Sequence, residues 1–85
     1  MVSEKVIITT ESGLHFRPAD RLSVEALRYE CAVHFKVGDT VGSLKSFLGI
    51  LAAGIKKNNE VEIICDGVDE EEALHNIVEL IRNGL

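Results

Sequence analysis

The chain has 85 residues, enough for one compact domain and too few for two. Leu, Ile, Val and Phe fill 29 of the 85 positions, well above a disordered composition, so the chain should fold without a metal or disulfide staple. The longest apolar stretch, Phe47 to Ile55, is about half of the ~18 residues of a membrane span, and no basic-then-apolar signal segment opens the chain, so a soluble cytoplasmic protein is expected.

In chain order, Val6 and Ile8 alternate with Lys5, Ile7 and Thr9 as a first strand, Lys5 to Thr9, broken by Glu11-Ser12-Gly13. Ala19, Leu22, Ala26 and Tyr29 then recur at spacings of three and four, the apolar face of a helix with Pro18 in its first turn. His15 is placed at the N-terminus of that helix. Period two returns from Ala32 to Val37, Gly38-Asp39 reads as a hairpin turn, and Thr40 to Ser43 as a third strand. Ser46 precedes a compact apolar helix, Phe47 to Ala53, closed by Gly54. Glu60 to Cys65 alternates again. Beyond Asp66-Gly67, Asp69 and Glu72 have capping-box spacing at the head of a last helix, with Ala73, Leu74, Ile77, Val78 and Ile81 as its buried stripe and Arg82 near its C-terminal end. The order βαββαβα predicts an α+β open-faced β-sandwich: a four-stranded, mostly antiparallel sheet with three helices on one face.

Charge and cysteines narrow the classes of function. Net charge is −5, and only four residues are aromatic, which opposes a nucleic-acid partner: binding phosphates needs basic surface, and binding single strands needs stacking platforms. Residues 1–59 nevertheless hold eight basic side chains against six acidic ones, whereas residues 60–85 hold eight acidic ones against Arg82 alone. A mildly basic face suited to an acidic protein is therefore expected. Cys31 and Cys65 are far apart in sequence and lack metal or redox spacing, so both read as packed thiols. His34, His75 and the Asp69-Glu70-Glu71-Glu72 run read as solvated surface, with no metal site.

The stretch from Ser12 to Ala19 carries the chemistry. With His15 as N-cap, the backbone N–H groups of Phe16 and Arg17 have no acceptor inside the helix and face the imidazole, beside the positive end of the dipole. That end disfavours a protonated ring by about 0.3–1 kcal/mol, leaving a lone pair for nucleophilic attack. A phosphoryl group on the ring would meet donors already in place and the Arg17 guanidinium two residues on. The plainer alternative is a polar cap and a solvated arginine. A second candidate is Ser46 before Phe47, Leu48 and Leu51: more apolar residues than one short helix buries, so a docking patch is expected, rimmed by Arg17, Arg21, Lys45 and Arg28. The plainer alternative for Ser46 is an ordinary N-cap.

Ser-Gly-Leu-His-Phe-Arg-Pro-Ala at 12–19, Leu-Lys-Ser-Phe-Leu-Gly-Ile-Leu at 44–51, Gly54-Ile55 and Asp66-Gly67-Val68-Asp69-Glu70 together closely resemble the HPr family, the histidine phosphocarriers of the bacterial phosphoenolpyruvate-dependent sugar phosphotransferase system. The resemblance implies that His15 accepts a phosphoryl group on Nδ1 from enzyme I and passes it to the EIIA components of sugar permeases. It implies a stoichiometric carrier without cofactor, and a monomer. It makes Arg17 the phosphate-supporting arginine and Ser46 the site of HPr kinase/phosphorylase. Phe47, Leu48 and Leu51 become the docking patch, and a catabolite-control repressor becomes a further partner. Four positions depart from the family pattern: Phe16 replaces a small residue, Asp20 puts a negative charge one turn from His15, and Val24 and Leu27 stand where lysines are common. Docking through Phe16, Arg21, Val24, Leu27 and Lys45 should therefore depend less on charge. Two alternatives within this frame are a regulatory adaptor working through phospho-Ser46 and a carrier of the nitrogen-linked branch.

Overall fold

The computed structural model describes residues 1–85. Its elements are β1 Val2–Ile7, α1 Phe16–Ala26, β2 Ala32–Val37, β3 Thr40–Ser43, α2 Phe47–Ala53, β4 Glu60–Asp66 and α3 Glu70–Arg82, the expected βαββαβα order. The strands form one sheet in the order β1-β4-β2-β3, and all three ladders are antiparallel.

Alternation along each strand decides which face meets the helices. Val6, Val33, Phe35, Val61, Ile63 and Cys65 are buried on one side and join Leu22, Ala26, Ile50, Ile77 and Ile81 in a core of 20 residues. α3 packs on β1 and β4, α2 on β3, and α1 against both helices. The other face is open to water. There Lys5, Glu62 and Lys36 lie in register across β1, β4 and β2, opposite charges side by side.

Three local expectations need correction. β1 runs over Val2–Ile7 rather than Lys5–Thr9. Glu4 falls at an inward-parity position and hides the pattern, but its carboxylate accepts from Arg82 at 2.7 Å at the sheet edge, so the strand pairs from Val2 onward. Ile8 still exchanges backbone bonds, with Asn58 and Asn59, beyond the strand proper. Tyr29 is buried as expected but lies past the end of α1, whose C-cap is Leu27; its hydroxyl donates to Glu25 and accepts from Asn76. The Asp69–Glu72 box does not form. Asp69 instead accepts from the Glu30 and Cys31 N–H groups, both at 2.9 Å, and Glu70 accepts from the Gly67 N–H. Cys31 and Cys65 are buried free thiols as expected, and the fold brings them, remote in sequence, side by side in the core, where burial pushes the Cys65 thiol up to about 12.

Candidate functional site

The turn that delivers His15 is built on Gly13. Its φ of +66° belongs to the left-handed region, and a Cβ there would lie 2.4 Å from the Ile55 carbonyl oxygen and 2.8 Å from the Lys56 α-carbon. The Leu14 N–H donates to the same Ile55 carbonyl at 3.0 Å. The β1–α1 turn is thereby clamped onto the segment following α2. Leu14 is buried as the anchor, and His15, next in sequence, projects outward at the helix start.

His15 is the N-cap of α1, with extended backbone and no side-chain capping bond. Its carbonyl accepts the first helical bond, from the Ala19 N–H at 2.9 Å. The N–H groups of Phe16 and Arg17 have no protein acceptor, and Pro18, the next residue, carries no N–H. Two free donors therefore stand beside the imidazole at the positive end of an 11-residue helix. Arg17 is exposed and forms no ion pair, so its guanidinium is free to reach an anion there.

His15 opens into a shallow groove of about 400 Å³ lined by Ser12, Leu14, Phe16, Leu51, Ile55 and Lys56, among others. Ser12 opens the stretch singled out from the sequence, whereas nothing in the sequence spacing points to Lys56. Lys56 reaches the groove only through the contact beneath Gly13, and the contrast with its neighbour is informative: Lys57 is paired with Glu11 at 2.6 Å, holding that carboxyl below its ordinary value, while Lys56 has no carboxylate partner.

The expected docking residues divide into groups. Phe16 and Leu51 share the His15 groove, and Phe16 lies 6.5 Å from the Phe47 ring, centroid to centroid. Leu48 is 74% exposed, while Phe47 and Leu51 are half-buried against the core. Arg21 and Val24 line a separate hollow of about 230 Å³ with Asp20, Glu25 and Leu80, between α1 and α3. Leu27 is exposed at the end of α1. Two expected rim cations are committed elsewhere: Lys45 Nζ donates to the Tyr29 carbonyl at 2.7 Å, and Arg28 pairs with Glu25 at 3.0 Å. Lys45 is thus a half-buried tie between the α2 approach and the end of α1, and the rim keeps Arg17 and Arg21.

Ser46 is the exposed N-cap of α2, and its Oγ accepts from the Gly49 N–H at 3.0 Å. A Cβ at Gly49 would crowd that oxygen at 3.0 Å, so the glycine leaves room for the cap. His34 and His75 are exposed on other elements, and no cluster of three or more His, Cys, Asp and Glu side chains could hold a metal ion.

Comparison with known proteins points the same way. The family model described as the PTS HPr component phosphorylation site matches residues 2–83. The phosphocarrier protein HPr of Mycoplasma capricolum is 35% identical over 77 residues, 91% of this chain and 86% of that protein. The crystal structure of HPr-C-His from Thermoanaerobacter tengcongensis superposes with a TM-score of 0.96 at 30% identity, covering 99% of this chain and 94% of that one. Crh, the catabolite repression protein of Bacillus subtilis, solved as a dimer with a swapped domain, gives 0.79 at 29% identity, covering 100% and 98%. Fold and sequence thus define a phosphocarrier of the phosphotransferase system. The chain belongs to the HPr family.

Proposed function

We propose that His15 is the phosphoryl acceptor of a one-domain stoichiometric carrier. The neutral imidazole forms an N–P bond as the bond between phosphorus and the donor breaks, with that electron pair leaving on the donor. On transfer to the next acceptor the same exchange runs outward, and His15 is restored. The observation that carries this reading is the pair of unbonded N–H groups, Phe16 and Arg17, beside an uncapped imidazole at a helix start. They and the Arg17 guanidinium receive the phosphoryl charge without rearrangement, and positioning with charge stabilisation is most of what phosphoryl transfer asks of a protein. Incubation with phosphoenolpyruvate and enzyme I should yield acid-labile, base-stable phosphate, absent from His15→Ala. No label on the unaltered chain would overturn the reading.

By family likeness the donor is enzyme I and the acceptors are EIIA permease components, met in the cytoplasm by a monomer that docks through Phe16, Phe47, Leu48 and Leu51. No helix is long and apolar enough to cross a membrane. The dimer solved for Crh supplies the alternative to a monomer, and sedimentation of the purified chain separates the two.

A regulatory reading is favoured by one feature, the exposure of Ser46 at the α2 cap beside Phe47 and Leu48. Phosphorylation by HPr kinase/phosphorylase would place about −1.5 to −2 charge at that patch, where a catabolite-control repressor could read it. If regulation is the main output, His15→Ala keeps catabolite control in cells and Ser46→Ala loses it.

A further inference from the structure

The His15 imidazole has no hydrogen bond to any protein group, and being exposed it lacks a wall of core atoms. Its ring meets that of the next residue: the His15 and Phe16 ring centroids are 4.7 Å apart at an interplanar angle of 77°, an edge-to-face pair. Phe16 is 61% exposed, so burial alone does not fix it either. It is met from the other side by Phe47, at 6.5 Å and 34°, and Phe47 packs on the core. Order therefore passes from the core through Phe47 and Phe16 to an exposed ring that no hydrogen bond holds.

We propose that Phe16 is a positioning residue for His15: its ring selects one imidazole orientation, and Phe47 braces it. This rests on the reading of His15 as phosphoryl acceptor. In-line attack needs the nitrogen lone pair aimed at phosphorus, and a ring distributed among rotamers is misaimed for part of the time. An aromatic contact of this kind biases a two-state choice by about three- to tenfold.

The test uses the full chain with Phe16→Ala, Phe16→Leu and Phe16→Tyr. NMR couplings and ring-current shifts report the His15 rotamer, and steady-state transfer from phosphorylated enzyme I separates kcat from KM for the carrier. Phe16→Ala should show averaged couplings and a kcat lower by about three- to tenfold. Phe16→Tyr should restore both. Phe16→Leu, which keeps apolar bulk without a ring, should restore only KM. Unchanged couplings in Phe16→Ala, a loss confined to KM, or full rescue by Leu would overturn the proposal. If the unaltered chain accepts no phosphoryl group, the carrier reading fails, while the couplings still decide whether Phe16 orients His15.

Discussion

Gly13 and Ile55 meet backbone to backbone, with no space between them for a side chain: a Cβ on Gly13 would sit 2.4 Å from the Ile55 carbonyl oxygen. Gly13→Ala must both strain a φ of +66° and push the segment after α2 away. A loss of about 1–3 kcal/mol is expected, read as a lower urea midpoint at unchanged m-value. Phosphoryl acceptance should fall further than stability explains, since this contact sets where His15 stands relative to Lys56 and Leu51.

Asp69 and Glu70 tie the start of α3 to neighbouring backbone, and the consequence is acid sensitivity. The Asp69 carboxyl is held below its ordinary 3.8 chiefly by the Glu30 N–H, with Cys31 helping, and Glu70 below 4.5 chiefly by the Gly67 N–H. Both folded values are depressed, so the stability they contribute is present above the ordinary values and lost as pH falls through the folded ones. Urea midpoints should therefore drop on acidification below about pH 4.5. Asp69→Asn should start lower at neutral pH and show a flatter acid limb.

The thiol pair predicts inertness. Desolvation first, then the adjacent Cys31, raise Cys65 to about 12. Cys31 is raised as well, again mainly by desolvation. Alkylation by iodoacetamide at pH 8 should be negligible for the native chain and complete in denaturant. Because the folded thiols hold their protons where unfolded ones lose them, their contribution to stability is lost as pH rises above about 9.

Val24 on α1 and Leu27 at its C-cap present apolar surface, 56% and 62% exposed. With Lys45 and Arg28 occupied internally, Arg17 and Arg21 are left as the rim cations on that side. Transfer from enzyme I should vary weakly with salt, and Val24→Lys with Leu27→Lys should steepen that dependence. Rates measured between 50 and ~500 mM salt check this.

Replacing the α2 cap separates stability from charge. Ser46→Ala removes the acceptor for the Gly49 N–H and should cost about 1 kcal/mol while leaving transfer at His15 near normal. Phosphorylation of Ser46, or Ser46→Asp in weaker form, should slow transfer by setting negative charge against an acidic donor surface. Equal rates for Ser46→Asp and the unaltered chain would contradict this.

The fold was readable wherever apolar period and turn chemistry agreed. β2, β3 and α2 match their expected bounds, and His15 is the N-cap as expected. Misreadings arose where a long-range partner satisfied a residue that local pattern treats alone. Arg82 neutralises Glu4, backbone 39 residues away engages Asp69, and the Tyr29 carbonyl takes Lys45. The same limit hid Lys56 and the Cys31–Cys65 pair, both of which exist only through tertiary contact.

The most direct measurement locates the phosphate. The intact chain is incubated with phosphoenolpyruvate and enzyme I, digested at alkaline pH, and mapped by mass spectrometry. Phosphate on His15 alone is the predicted result. Phosphate on His34 or His75, or on no histidine, would contradict the account.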